Sequence, residues 1–254
     1  MGRYAKPTQA AGTLNYGEPI TRRLAFAVAS GWDRGQGQPF TTVTREVLGT
    51  SGAANGTLPA GGPAMTKDFG WGHCSSNDGW YNYSSMLTPP TFDPSAGFSF
   101  ACVVQPLVLP AVNTFNRRVL QKRASGAATD PGFDAFLDSF VSLTWSFEWS
   151  NGVIEQTLRS TVVPVLNRSD LLVGTLEPLG SIARLYVNGA LDVSAALAVV
   201  PVNPLALPIG VCGGIGPVGD RGGDNCVGFA AIWNRALSAR EVTELWASPY
   251  RMFI

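Results

Sequence analysis

The chain has 254 residues, of which 45% are hydrophobic and only 14% charged, with 29 glycines and 18 prolines. Its 18 basic and 18 acidic residues cancel, so no net field draws it onto nucleic acid or an anionic membrane, and neither is expected as a partner. Sandwiches and barrels of this length form single domains, and many turn residues with a weakly charged surface point to an all-β chain.

Residues 1–14, rich in Ala, Gly and Thr, read as an extended N-terminal arm that orders by lying on a neighbouring subunit, with Arg3, Tyr4, Lys6 and Pro7 as its assembly contacts. The basic residues here have no apolar segment behind them, so a secretory signal is not expected and synthesis in a cytoplasm is. Residues 15–254 read as one sandwich domain.

Period-two alternation dominates residues 15–254. Strands are expected at 24–29, 98–104, 119–122, 157–163, 171–176, 207–211 and 227–234. The clearest alternation is 141–149, where Val141, Leu143, Trp145, Phe147 and Trp149 are large and apolar and the residues between them small or polar. One face of that strand should pack and the other meet solvent or another sheet, and Asn151-Gly152 should turn it. The apolar run 195–211 is broken by Pro201, Pro204 and Pro208, so no membrane span is expected.

Ile182-Ala183-Arg184-Leu185-Tyr186-Val187 runs into Asn188-Gly189. Both central residues of a type I′ turn need positive φ, which Asn and Gly tolerate best, so 182–193 should be a β-hairpin. One helix is expected, after Leu237: Ser238 stands three residues before Glu241 in a capping-box spacing, and Leu237 and Val242 bracket it as a hydrophobic staple.

Leu185-Tyr186-Val187-Asn188-Gly189, with Trp233-Asn234-Arg235-Ala236-Leu237-Ser238 and Glu241-Val242, resembles the C-terminal signature of laminin-G-like domains of the concanavalin A-like lectin/glucanase fold. A weaker resemblance extends upstream through 92–100 and 171–175. It implies a two-sheet antiparallel jelly-roll sandwich with one short C-terminal helix. The segment Asn15-Tyr16-Gly17-Glu18-Pro19-Ile20-Thr21-Arg22-Arg23-Leu24 is similar to the opening of laminin-G-like proteins of tailed bacteriophages. That resemblance implies a virion component: a capsid decoration protein on the major capsid protein or another virion protein, acting as a homo-oligomer, with a trimer as the guess. The alternative is a tail or fibre module that binds cell-surface glycan.

The glucanase branch of the fold works with two facing carboxylates, usually glutamates on one strand with an aspartate between. No such run occurs here. Glu148 and Glu155 are the only glutamates near one another on strands, with Asn151-Gly152 placing them on opposite sides of a turn, and Glu148 reads as a solvent-face charge. Hydrolysis is therefore not expected. The lone His73 beside Cys74 points to opposite faces of an extended segment, and no serine lies in a GxSxG run.

Aromatic faces beside amides and carboxylates suit sugar rings. Trp71, His73, Asp78, Trp80, Tyr81 and Tyr83 are thus the candidate carbohydrate-binding residues, although core or interface packing uses the same residue types. Asp220, Asp224 and Asn225, in a glycine-rich loop, are the candidate ligands of a calcium ion, in a spacing that matches no defined loop motif. No other cofactor is expected. Of Cys74, Cys102, Cys212 and Cys226, buried free thiols are the first reading, with Cys212 and Cys226 as the pair to check for a disulfide because they flank one loop.

Overall fold

A computed structural model describes residues 15, 17–29, 43–44, 56–57, 64–66, 70–72, 84–86, 92–109, 116–123, 130–139, 141–204, 207, 209–211 and 225–252. Its strands are β1 (Leu24–Ala29), β2 (Val43–Thr44), β3 (Gly56–Thr57), β4 (Ala64–Thr66), β5 (Gly70–Gly72), β6 (Ser84–Met86), β7 (Phe98–Pro106), β8 (Arg117–Lys122), β9 (Gly132–Asp138), β10 (Thr144–Ser150), β11 (Glu155–Arg159), β12 (Asp170–Glu177), β13 (Ile182–Val187), β14 (Ala190–Ala196), β15 (Ile209–Val211) and β16 (Asn225–Trp233), followed by the helix α1 (Ala239–Ala247).

The strands form two antiparallel sheets. The first runs β14-β13-β12-β7-β16-β5-β4 with β1 also on β16, and the second runs β11-β10-β9-β8-β15-β6-β3-β2. Phe98, Phe100, Leu172, Leu185 and Ile232 of the first sheet pack against Phe133, Trp145, Phe147, Trp149 and Leu120 of the second, giving the sandwich core. Phe147 meets two rings edge-on, Phe100 with centroids 4.9 Å apart at 69° and Phe98 at 6.1 Å and 86°, while Phe100 and Phe133 lie stacked at 13°.

The first sheet is buried on its other face too. Ala101, Val103, Val173, Phe229 and Trp233 pack there against Val242 and Leu245 of α1 and against Ile20, Tyr250 and Met252. That double burial explains why β7 and β16 read as nearly unbroken apolar runs rather than as alternating ones.

The C-terminal signature is a folding device. Trp233 Nε1 donates to Ile20 O at 2.6 Å, Asn234 N to Arg23 O at 2.9 Å, and Arg235 Nε to Arg22 O at 3.0 Å, which laces the entry segment onto the sheet. Ser238 caps α1 in a complete capping box with Glu241, and Leu237 and Val242 are both buried. The turn between β13 and β14 has Asn188 at φ 54° and Gly189 at φ 83°, both left-handed. A Cβ on Gly189 would come within 2.7 Å of Trp246 Cβ, so α1 lies directly on the hairpin turn.

Three expectations need correction. The strand expected at 157–163 is β11, Glu155–Arg159; Ser160 N makes a last bond to Trp145 O at 2.8 Å in the same register, and then the Ser160 Oγ accepts from Val162 N as the chain leaves the ladder. β9 was not expected, because Phe136 interrupts the alternation of Phe133, Ala135 and Leu137. The polar face of β10 does not meet solvent: Ser146, Glu148 and Ser150 are all buried.

Candidate functional site

On β10, Trp145, Phe147 and Trp149 point into the core, so Thr144, Ser146, Glu148 and Ser150 take the outer face of the second sheet. Register adds its neighbours. Glu148 lies opposite Asp134 of β9 and Thr157 of β11, and Ser146 opposite Phe136 and Arg159. Gln121 of β8 lies opposite Asp134, and Arg118 opposite Phe136. The outer face of β8–β11 is therefore polar and charged.

Arg118 Nη1 donates to Asp134 Oδ2 at 2.8 Å while its guanidinium carbon sits 4.6 Å above the centre of the Phe136 ring. Arg123, just beyond β8, reaches three carboxylates: its Nη1 donates to Glu148 Oε1 and lies 3.5 Å from Asp134 Oδ2, and its Nη2 donates to Glu155 Oε2 at 2.6 Å. Its Nε donates to Asp130 O at 3.1 Å. Thr157 Oγ1 donates to Glu148 Oε2 at 3.2 Å, and further along the face Arg159 Nε pairs with Asp138 at 2.8 Å.

Burial pushes the Glu148 carboxyl up to about 7, with Asp134 and Glu155 adding to the shift and Arg118 and Arg123 opposing it. Glu148 and Glu155 thus do stand on opposite sides of a turn, and the turn folds them onto one guanidinium. Nothing in the linear spacing announces this, because Arg123 is 25 residues from Glu148 and 32 from Glu155.

On the inner face, Lys122 is fully buried and donates from Nζ to Pro204 O at 3.1 Å and Leu207 O at 2.8 Å; burial lowers its ammonium to about 8.

A second feature is apolar. Trp149 Nε1 bonds Val199 O, Gln156 Nε2 bonds Ala196 O, and Leu197 N bonds Ser181 O, which gathers the 151–154 turn, the 178–181 turn and segment 197–203 at one pole of the sandwich. Leu179 is 102% exposed there and Val153 77%, with Ile154, Val200 and Val202 exposed beside them.

Few of the residues chosen from the sequence fall among the described residues. The backbone of Trp71 is in β5, paired with Val227. His73, Asp78, Trp80, Tyr81 and Tyr83 lie outside the described residues, as do Arg3, Tyr4, Lys6, Pro7, Asp220, Asp224, Cys74 and Cys212. Asn225 opens β16 opposite Pro106 and is buried. Cys102 is a buried free thiol, and burial raises its pKa. Among the described residues, no group of three or more His, Cys, Asp or Glu side chains is placed to hold a metal ion, and no helix is long and apolar enough to cross a membrane.

The family profile described as "Concanavalin A-like lectin/glucanases superfamily" matches residues 78–243. The chain belongs to this superfamily. Among solved structures, this lectin/glucanase-like chain is similar to the binding domain of Paraclostridial Mosquitocidal Protein 1, with TM-score 0.65, 13% identity, and coverage of 91% of this chain and 53% of that one. It is also similar to the Trypanosoma rangeli sialidase in complex with 2,3-difluorosialic acid, with TM-score 0.64, 13% identity, and coverage of 96% of this chain and 37% of that one. It therefore spans about a third to a half of the length of these structures, and what it shares with them is the fold. No curated protein sequence matches it significantly.

Proposed function

We propose that this superfamily member is a non-catalytic binding module that decorates a bacteriophage virion, packing on the major capsid protein or another virion protein. The apolar pole carries this reading: Val153, Ile154, Leu179, Val200 and Val202 project from adjacent turns of a chain with little charge to spare, and such surfaces are covered in assemblies. The state of the carboxylates supports the non-catalytic part. A glycosidase needs an acid and a base free to face the bond, whereas Asp134, Glu148 and Glu155 are engaged by Arg118 and Arg123.

A second reading is favoured by the superfamily and by the structures it resembles, one described as a binding domain and one as a sialidase holding a sialic acid derivative. In it the chain is a tail or fibre module for cell-surface glycan. One experiment separates the two: co-sedimentation with empty phage shells of the purified chain and of a Val153→Ser/Leu179→Ser variant, beside a glycan array that includes sialylated glycans. Shell binding that the double variant loses supports decoration. A chain that ignores shells and binds glycans saturably supports the second reading, and one that does neither overturns both.

A further inference from the structure

The apolar pole has a counterpart at the other end of the sandwich. β10 runs from Thr144 to Ser150 and β12 from Asp170 to Glu177, so the segments that precede them lie at the opposite end from the 151–154 and 178–181 turns that follow them. Asn167 N donates to Pro106 O at 2.9 Å, Gln105 Nε2 to Asn167 O at 2.6 Å and Ser160 N to Trp145 O, which gathers 106–109, 141–143 and 160–168 there. Leu109, Leu143 and Val162 turn inward onto the core. Val108, Val141, Val163, Val165 and Leu166 are exposed. One chain thus carries two aliphatic surfaces, at opposite ends of its strands.

The ion pairs beside the two poles are turned in opposite senses. At the second pole the arginines are outermost: Arg159 is 41% exposed against 2% for its partner Asp138, and Arg168 33% against 0% for Asp170. At the first pole the glutamates are outermost: Glu177 is 44% exposed against 26% for Arg184, and Glu155 26% against 0% for Arg123. Asp192, on the rim of the second pole, accepts from Thr161 N and Thr161 Oγ1. An approaching surface therefore meets cations beside one apolar patch and anions beside the other. Unlike poles attract and fall into register, whereas two like poles brought together would oppose like charges.

We propose that copies of this chain associate head to tail, the Leu179 pole of one docking on the Val163 pole of the next. This contact rests on the reading of the Leu179 pole as an assembly surface, made above, and fixes its occupant as another copy. A foreign protein on the Leu179 pole would leave the Val163 pole in water, whereas a row of copies covers both kinds. Because the two docking surfaces differ, the contact is heterologous. Each pairing leaves one pole of each kind free at the ends, so the row grows until it closes into a ring or runs on as a filament.

The test is sedimentation velocity of the purified full chain, without shells and over a concentration series, for wild type, Val153→Ser/Leu179→Ser and Val163→Ser/Val165→Ser. These side chains are exposed, so both variants should keep the wild-type fold, which thermal unfolding checks. Should either not fold, Val200→Ser/Val202→Ser and Val108→Ser/Val141→Ser replace them on the same poles. Wild type should form species of more than two chains, and each variant alone should stay monomeric because it lacks one half of the contact. An equimolar mixture of the two variants should recover a species of two chains and nothing larger, since it holds one intact pole of each kind on separate chains. Added salt should loosen that species, because exposed charges are screened. A monomeric wild type overturns the proposal. So does self-association that survives in either variant, a mixture that stays monomeric, or a contact that salt tightens. Shell binding lost in Val153→Ser/Leu179→Ser while wild type is monomeric in solution overturns this proposal and leaves decoration standing, and head-to-tail association by a chain that ignores shells does the reverse.

Discussion

Arg235 and Glu241, six residues apart, form a two-pronged pair: Arg235 Nη1 donates to Glu241 Oε2 at 2.9 Å and Nη2 to Oε1 at 2.6 Å. The same carboxylate accepts from Ser238 N and Ser238 Oγ, both at 2.9 Å. Glu241 therefore closes the helix cap and ties α1 to the arginine that holds residues 19–22. Burial alone would raise its pKa, but the bonds from Arg235 and Ser238 outweigh it and lower the value.

Ser238→Ala should cost about 1 kcal/mol, the usual worth of an N-cap, which is roughly 2–4 °C in Tm for a chain of this size. Glu241→Gln should cost at least as much at neutral pH. Because the carboxyl is held below its ordinary range, its contribution is present above the unfolded value and fades as pH falls through the folded one, so the two chains should converge in acid. Thermal unfolding at neutral and acid pH checks both statements.

Gly174→Ala should be far more damaging than a methyl group suggests. A Cβ at this position would lie 2.1 Å from Phe100 Cε1 and 2.8 Å from Phe147 Cδ1, in the centre of the aromatic core. Overpacking of this kind costs about 1–3 kcal/mol or more. The expected outcome is a lowered denaturant midpoint, with Phe100→Leu in the same chain recovering part of it.

Asp170, fully buried, accepts from Trp145 Nε1 at 3.0 Å and from Asn188 Nδ2 at 2.9 Å, joining β10, β12 and the β13–β14 turn. Asp170→Ala strands both donors, at about 1–3 kcal/mol for each buried group left unsatisfied. Its effect should not add to that of Asn188→Ala, since both remove one shared bond, and a double-mutant cycle reads this directly.

Lys122 should shape the alkaline limb of the stability curve. Its folded value, about 8, lies below the unfolded 10.5, so the folded chain gives up this proton more readily and loses stability as pH falls from about 10.5 toward 8. Lys122→Met should flatten that limb. Unfolding measured at several pH values above neutrality checks it.

How much of the molecule could be read from its letters depends on the range of the interactions. The hairpin at Asn188-Gly189 and the Ser238–Glu241 cap are local, so adjacent letters carry them. β7, β12 and β16 were legible as apolar runs, although nothing local says that helix and entry segment would cover their second face. β9 escaped because Phe136 breaks its alternation, and Phe136 is there to lie under Arg118. The charged face escaped for a deeper reason. Its members come from β8, β9, β10 and β11, and only the register of the assembled sheet places Arg123 among Asp134, Glu148 and Glu155. A buried glutamate on an alternating strand looks the same in sequence as a solvated one.

Asn15 N donates to Met252 O at 2.8 Å, and Arg251 Nη2 pairs with Glu18 at 2.6 Å, so the two limits of the described sandwich leave it side by side. Both are on the helix-covered side of the first sheet, away from the charged face of the second. Anything joined to the chain at either limit would thus hold it by its back.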